Sequence, residues 1–189
     1  GFNYVTHSGV NDVVAGSTYY YRVQALSGEQ SSILSDEVTG TPQESKTDKP
    51  LNDVAWNGLN TLVAVGEEGV ILSSPNGMAE AWTDVSDVVI TPQSLTGVTW
   101  ESTNNQFLIV GAGLTVLTGD GNTWSRENLS NLEGTTDLED VAWLGDGYIA
   151  VGKNGLIITS IDGSDGTELN LARAFTLHPL NGVGSTGRN

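Results

Sequence analysis

Apolar and polar residues alternate in a phrase that the second part of the chain repeats four times. The phrase reads LNDVAW from residue 51, LTGVTW from 95, LEDVAW from 138 and LNGVGS from 180, so successive copies begin 44, 43 and 42 residues apart. Alternation with a period of two is typical of a half-buried β-strand. A repeat of this length, built from short apolar segments, predicts four-stranded β-propeller blades that each begin with one copy of the phrase.

Each of the three full repeats also contains the pattern of three further strands. The second strand ends in Val-Gly, and the third is an apolar run rich in β-branched residues that suits strands packed between neighbouring blades. Asn-Gly or Asp-Gly follows, and these pairs are the strongest short signals for a hairpin turn. The predicted second strands are TLVAVG, QFLIVG and GYIAVG, the third strands are GVILSS, LTVLTG and GLIITS, the turns are Asn76-Gly77, Asp120-Gly121 and Asp162-Gly163, and the fourth strands lie near Trp82, Trp124 and Leu169.

The repeated tryptophans and glycines have predicted structural roles. A tryptophan ends each full phrase, and its large apolar area is expected in the core between blades. A glycine ends each second strand, where the chain needs either a positive φ or a close backbone approach. The tryptophans are Trp56, Trp100 and Trp143, and the glycines are Gly66, Gly111 and Gly152.

The first 42 residues follow a different pattern. Positions 19, 21, 23 and 25 alternate with 20, 22 and 24, which predicts a half-buried strand, and Ile33 to Thr39 is the predicted partner strand beyond the turn cluster SGEQ. The polar, proline-bracketed residues before the first phrase predict a linker. The predicted protein is all-β, with 1–42 as one unit, 43–50 as the linker and 51–189 as a propeller segment, whose blades span 51–94, 95–137 and 138–179 before another begins at 180–189.

The first unit resembles the C-terminal half of a fibronectin type III domain. Val13, Gly16 and Tyr19 fit the L-x-P-G-T-x-Y corner of that family, with Val13 in place of Leu and Ala15 in place of Pro. The resemblance implies that Tyr19 is the tyrosine-corner residue, whose hydroxyl bonds back to the upstream chain in a structural role. It also implies a partial β-sandwich, with the rest of the domain preceding Gly1.

The segment TGDGNTW resembles the Asp-box of bacterial propeller repeats, which has the form S/T-x-D-G-x-x-W. Thr118, Asp120, Gly121 and Trp124 match it. The first repeat has Asn76 in place of the aspartate, and the third keeps Asp162 and Gly163 but lacks the tryptophan. In the family the aspartate accepts backbone hydrogen bonds and the tryptophan packs beneath the turn, so the resemblance implies structural roles.

Residues 51–189 resemble the sialidase-like and photosystem-assembly-factor-like propellers, because the repeat length, the Val-Gly pair that ends the second strand and the Asp-box occur together. Propellers typically have four to eight blades, so the resemblance implies that three blades do not close a ring. We therefore expect further blades, from the same chain or from partner chains.

Composition narrows the class of partner. With 23 acidic against 7 basic residues, the formal net charge is -16, which disfavours phosphate backbones and anionic lipid surfaces. We expect neither nucleic-acid binding nor membrane insertion, since no apolar run has the length of a membrane-spanning helix. The absence of cysteine removes disulfides and thiolate metal ligands but is compatible with bacterial export.

The chemistry-bearing residues form no recognisable catalytic set, and no organic cofactor is expected. The arginines after the linker lack the sequence setting of a sialidase site, and the two histidines lie in different units without partners at zinc spacing. One candidate metal site is DGSDGTE, which loosely resembles a calcium loop but lacks the full twelve-residue pattern, and turn formation is its alternative explanation. Its candidate ligands are Asp162, Ser164, Asp165 and Glu168.

The leading hypothesis is a non-catalytic, extracellular or cell-surface bacterial protein, in which the propeller serves adhesion, binding or structural assembly. Its partner would be a protein or glycan surface ligand, or a further copy bound through open blades. The alternative is a fragment of a secreted carbohydrate-active enzyme, sialidase-like or another glycoside hydrolase, whose active-site blades lie outside this segment. A third hypothesis is an assembly factor similar to the photosystem type.

Overall fold

The computed structural model describes residues 16–22, 24, 26–27, 30–41, 45–86, 91–127, 129, 136–160, 170–173 and 178–185. The chain divides into two units, residues 1–45 and 46–189. Among the described residues the regular elements are β-strands and three-residue 3-10 turns, without an α-helix, which confirms the all-β prediction. No helix in the described ranges is long and apolar enough to cross a membrane.

The first unit contains two short antiparallel strand pairs. Strand β1 (Tyr19–Tyr21) pairs with β4 (Val38–Gly40), and β2 (Leu26–Ser27) pairs with β3 (Gln30–Ser31). These pairs place Tyr19 opposite Gly40. The described part of this unit does not show a fibronectin-like sandwich, and Val13 and Ala15 of the proposed corner lie outside it.

The predicted partner strand at 33–39 is wrong over most of its length, because residues 32–37 lie in no strand and Ile33 is 91% exposed. Serine side chains form local bonds here: the Ser32 hydroxyl donates to the Ile33 carbonyl at 2.8 Å, and the Ser35 hydroxyl donates to the Asp36 carbonyl at 2.9 Å. Such bonds compete with a strand ladder. Regular pairing therefore resumes only at Val38.

The second unit contains three antiparallel four-stranded sheets, each formed by consecutive strands in chain order. This arrangement is consistent with propeller blades, as the repeat predicts. The first blade comprises β5 (Leu51–Trp56), β6 (Leu62–Gly66), β7 (Ile71–Ser74) and β8 (Thr83–Asp84). The second comprises β9 (Leu95–Glu101), β10 (Gln106–Gly111), β11 (Thr115–Gly119) and β12 (Trp124–Arg126). The third comprises β13 (Leu138–Trp143), β14 (Tyr148–Gly152), β15 (Leu156–Ser160) and β16 (Asn170–Arg173).

A one-residue bulge occurs at the same place in the first strand of every blade. In β5, Leu51 pairs with Gly66 while Asp53 pairs with Val65, so Asn52 is the extra residue. Equivalent shifts occur at the starts of β9 and β13. A bulge changes which residues share a face. It brings the first, fourth and sixth residues of each full phrase, which are its large apolar residues, onto the same face.

The glycine that ends each second strand is explained by close backbone approach. Gly111 has a φ of −173°, and a Cβ there would lie 2.3 Å from the Ser94 carbonyl oxygen. The positive φ values come in the following turn, at Gly113 (64°) and Leu114 (56°), a pair typical of type I′ hairpins. The first and third blades repeat both features.

Two apolar cores join the blades. The first combines Val63, Val65 and Ile71 of the first blade with Leu95, Val98, Phe107, Ile109, Leu117 and Trp124 of the second. The other combines Leu108, Val110 and Val116 of the second blade with Leu138, Val141, Tyr148, Ala150, Leu156 and Ile158 of the third. Both cores hold the apolar face of a first strand against the preceding blade.

Two of the three phrase tryptophans lie at these cores. Trp100 packs against the first core with its ring at an edge angle to Phe107, centroids 4.8 Å apart, and Trp143 packs against the second. The prediction was wrong for Trp56, which is 59% exposed. Trp56 belongs to the side of the first blade that faces away from the second, so the blade packing that covers Trp100 and Trp143 does not reach it.

Candidate binding surface

The first strands of neighbouring blades are linked by an aspartate. In β5, Asp53 Oδ1 accepts the backbone N–H of Val54 at 2.8 Å, and its Oδ2 accepts that of Val98 in β9, also at 2.8 Å. The carboxylate thus satisfies one donor in its own blade and one in the next. Buried donors left without partners are costly, so this bond favours one register between the two strands.

The third blade repeats the arrangement with the chain that follows it. Asp140 Oδ1 accepts the N–H of Val141 at 2.7 Å, and its Oδ2 accepts that of Val183 at 2.8 Å. Leu180 also donates its N–H to the Gly152 carbonyl at 3.1 Å. Residues 180–185, here called the terminal segment, therefore lie beside the third blade as β9 lies beside the first.

The blade between these aspartates has glycine at the same position. A Cβ at Gly97 would lie 3.0 Å from Asp140 Cα and 3.1 Å from Val141 N, closer than normal side-chain contacts. The third position of the phrase therefore alternates Asp53, Gly97, Asp140 and Gly182 along the chain. The glycine provides the space into which the next aspartate-bearing strand packs.

Contacts from the second position of the phrase add to this linkage. Asn52 donates its side-chain N–H to the Leu95 carbonyl at 2.7 Å, and the Thr96 hydroxyl donates to the Leu138 carbonyl at 2.8 Å. Asparagine and threonine thus make the same bond to the first leucine of the next phrase.

The environment of Asp53 makes its charge unfavourable. Burial raises the pKa of Asp53 above its ordinary value of 3.8, and repulsion from Asp140 adds to the increase, while the bonds from Val98 and Val54 oppose it. The folded protein therefore keeps this proton to higher pH than the unfolded chain does. Below pH 3.8 both states hold the proton, and as pH rises through the folded-state pKa the stability from this group is lost.

We expect Asp53→Asn to flatten the fall in stability as pH rises above about 4. Asparagine cannot ionise, so the difference in free energy of unfolding between the two proteins should change through this window in favour of the variant. Urea unfolding at a series of pH values measures it. Asp146→Asn, an exposed change in the loop between β13 and β14, is the control. A constant difference between wild type and Asp53→Asn would contradict the assignment.

The predicted Asp-box aspartate forms a compact turn between β11 and β12. Asp120 Oδ1 accepts the backbone N–H groups of Asn122 and Thr123, each at 2.8 Å, and the Thr123 hydroxyl at 3.2 Å. These hydrogen bonds hold the pKa of Asp120 below its ordinary value, and the bond from the Thr123 backbone N–H has the largest effect. Gly121 has a φ of 100°. Among the described residues, the hydrogen bonds that the Asp120 side chain accepts all come from its own turn, so the carboxylate has a structural role.

The remaining predicted site residues lie in different places. Trp124 is buried in the core between the first and second blades, and Tyr19 is half-buried in β1. The candidate calcium loop, with Asp162, Gly163, Ser164, Asp165 and Glu168, lies outside the described residues. Within the described ranges, no group of three or more His, Asp and Glu side chains is placed to hold a metal ion.

One apolar surface is left uncovered on the first blade. Leu51 (48% exposed), Val54 (55%) and Trp56 (59%) line one face of β5, here called the open face. In the second blade the equivalent Leu95 and Val98 are buried against the first blade, and in the third Leu138 and Val141 are buried against the second. The open face therefore has the composition of an inter-blade interface without the covering blade.

Sequence reasoning predicted open blades, but it missed the linking role of Asp53 and Asp140 and which blade leaves its face exposed. The first has a visible signal, because the third position of the phrase alternates between aspartate and glycine while its neighbours stay leucine and valine. The second has none within the phrase, because LNDVAW and LEDVAW are nearly identical although one face is exposed and the other covered.

Three four-stranded antiparallel blades, stacked through apolar faces and linked at their first strands, define a β-propeller-like architecture. No protein-family model matches the chain, and no curated protein sequence matches it. Solved structures do. The structure of YCF48 bound to a D1 peptide is 19% identical, with a TM-score of 0.55 over 66% of this chain and 40% of that chain. YCF48 from Cyanidioschyzon merolae is 22% identical, with a TM-score of 0.54 over 69% of this chain and 42% of that chain.

This chain therefore spans about two fifths of the length of the YCF48 chains it resembles. At such identities the similarity shows the fold alone, and it supports the propeller-like architecture.

Proposed function

We propose that this is a non-catalytic binding or structural protein, extracellular or on the cell surface, whose propeller-like blades bind a protein partner through the open face. The observation that carries this proposal is the half-exposed row of Leu51, Val54 and Trp56. The equivalent leucines and valines of the next two blades are buried against the preceding blade, and the equivalent tryptophans are partly buried there.

Burial of the open face contributes favourably to binding. Full burial of a valine, leucine or larger apolar side chain contributes about 1.5–3 kcal/mol. Contiguous exposed apolar surface commonly marks a site of protein interaction. A blade face is flat and built from backbone-ordered strands, so little conformational entropy is lost when it binds.

Two further observations support the proposal. A YCF48 structure, which shares the fold, contains a bound D1 peptide, so this architecture accepts a peptide partner in at least one protein. The net charge of -16 disfavours nucleic acid and anionic lipid as alternative ligands. High net charge also favours solubility, which suits a secreted or surface-exposed protein.

A photo-cross-linking amino acid tests the binding surface. Introduced at Val54 of the full chain, it should give a discrete protein adduct, because this position lies inside the interface. The same group at the exposed Thr103, in the hairpin between β9 and β10, is the matched control and should give none. The adduct should disappear when Trp56→Ala is added. Equal or absent labelling at the two positions would contradict the proposal.

The proposed location is tested separately. A membrane-impermeant amine reagent should label the exposed Lys46 on intact cells that make the protein. Labelling only after lysis would contradict an extracellular or surface location.

A further inference from the structure

We propose that Asn57 is a self-modifying residue, which loses its side-chain amide as ammonia and becomes aspartate or isoaspartate through a cyclic imide formed with Gly58. The site is the loop that joins β5 to β6, residues 57–61. The contacts that carry the inference lie within this loop, so it does not depend on the proposed binding role or on any other blade.

The side-chain oxygen of Asn57 is surrounded by backbone donors. Its Oδ1 accepts the N–H of Leu59 at 2.9 Å and those of Asn60 and Thr61 at 3.0 Å each. Several fixed N–H donors around a carbonyl oxygen form an oxyanion hole, which stabilises the negative charge that develops when a nucleophile attacks the carbonyl carbon. The loop therefore activates Asn57 toward attack at Cγ.

The amide nitrogen of Asn57, which is the leaving group, has a different partner. Its Nδ2 donates to Asn60 Oδ1 at 3.4 Å. Because the nitrogen faces an acceptor and the oxygen faces donors, the amide is held in one of its two orientations. The donors are therefore in place before the reaction, and none has to reorganise when charge develops on the oxygen.

The nucleophile is the backbone nitrogen of Gly58, which closes a five-membered ring when it bonds to Asn57 Cγ. Such an intramolecular attack needs no encounter between separate reactants. Gly58 is exposed, and a Cβ there would meet nothing within 4 Å. Its N–H donates to no acceptor among the described residues. Solvent hydroxide therefore reaches this proton, and no side chain on residue 58 obstructs the attack.

The reaction consumes only water. Hydroxide removes the Gly58 N–H proton, the nitrogen attacks Asn57 Cγ, and the new C–N bond places the negative charge on Oδ1. The bond from Cγ to Nδ2 then breaks, and the amide takes a proton from water and leaves as ammonia, which regenerates the hydroxide. Another water opens the imide. Cleavage between Cγ and the Gly58 nitrogen gives aspartate, and cleavage at the main-chain carbonyl of residue 57 gives isoaspartate.

The same Asn-Gly dipeptide occurs at two further turns of the blades, where the contacts differ. After Asn76, the N–H of the glycine donates to Ser74 Oγ at 2.9 Å, so the nucleophile is engaged. Among the described residues, the Asn76 side-chain oxygen accepts one N–H, that of Met78. Asn154 lies in the left-handed conformation with a φ of 58°, and none of the described donors bonds to its side chain. Asn57 is therefore the site that the structure activates.

Conversion rates in the folded and the unfolded chain test the proposal. Freshly purified full chain is incubated in mildly alkaline buffer with and without urea, and mass spectrometry quantifies the peptides that contain Asn57, Asn76 or Asn154. Conversion at Asn57 should be faster in the folded protein than in urea, by about threefold or more. This is less than one donor contributes in a water-excluded enzyme site, because the loop is exposed. The other two sites should convert more slowly when folded. Conversion at Asn57 that is equal or slower in the folded protein would overturn the proposal.

The donors also favour one product. An aspartate at residue 57 presents a charged oxygen to the same N–H groups, and charged acceptors form the stronger hydrogen bonds. Isoaspartate instead lengthens the main chain where the Asn57 N–H donates to the Thr61 carbonyl at 3.0 Å and closes the loop. Aspartate should therefore form a larger share of the product in the folded protein than in urea. Equal shares would contradict the role assigned to the donors.

Asn60→Ala distinguishes activation from restraint. It removes the acceptor of the Asn57 amide but keeps the backbone N–H, and the position is exposed, so the melting temperature should be unchanged. Conversion at Asn57 should slow by about twofold, the weight of one weak neutral hydrogen bond. Asn122→Ala, an exposed change in the turn between β11 and β12, is the control and should have no effect. Faster conversion in Asn60→Ala would show that the bonds restrain the amide, and it would overturn the proposal.

Discussion

Replacement of Trp124 by Ala is expected to lower the free energy of unfolding by about 3–5 kcal/mol. The side chain is 8% exposed and lies in the core between the first and second blades, with its ring centroid 6.5 Å from that of Phe107. Alanine would leave a cavity between two sheets whose strands are held by their own ladders, so the site cannot collapse freely. Denaturant unfolding gives the change as a shift in midpoint at constant slope.

Trp124→Phe is the matched control. It keeps an aromatic ring in the core and removes an indole N–H that has no hydrogen-bond partner among the described residues. The control should therefore cost far less than the alanine variant, about 1.5 kcal/mol or less. If Trp124→Ala itself costs under about 1 kcal/mol, the tryptophan is not a core residue and a ligand-binding role becomes the better explanation.

Gly111→Ala is expected to lower the stability by about 3 kcal/mol, at the upper end of the range for overpacking. The φ of −173° at Gly111 suits any residue, so backbone conformation is not the obstacle. The obstacle is contact, since the added Cβ would lie 2.3 Å from the Ser94 carbonyl oxygen and 3.0 Å from Leu95 Cα. Both atoms are backbone, and moving them disturbs the pairing of β9 with β10.

In Gly113→Ala, two residues further on, backbone conformation is the obstacle and close contact of the added Cβ is not. Its φ is 64° and a Cβ there meets nothing within 4 Å, so only the left-handed conformation is penalised, by about 1–2 kcal/mol. Thermal or denaturant unfolding of both variants compares them directly. A larger loss for Gly113→Ala than for Gly111→Ala would show that conformation, not close approach, explains the glycine that ends each second strand.

The strand positions of the three blades could be predicted because their signals are local. Period-two alternation, β-branched runs and Gly-containing turns act within a few residues, and the strands of all three sheets lie where these signals place them. The first unit shows the limit of the same signals. Residues 32–37 carry a strand-like apolar pair, but their serine side chains bond to the local backbone instead.

The candidate site depended on neighbours that are distant in sequence. Trp56 and Trp143 end nearly identical phrases, yet one is exposed and the other packs against the second blade. The role of Asp53 was equally hidden, because its partner Val98 is 45 residues away. A side chain's exposure and its hydrogen-bond partner are properties of the assembled blades and not of the phrase.

The amino-acid sequence by itself determined the repeat, the all-β class and the turn that follows the third strand in the first and second blades, because these arise from short-range periodicity and backbone preferences. The tertiary structure decided which faces are covered, which carboxylate links two blades, and why glycine alternates with aspartate. Those outcomes depend on how closely two sheets approach. Only the packed structure establishes that distance, and it makes Gly97 necessary beside Asp140 and leaves the equivalent face of β5 open.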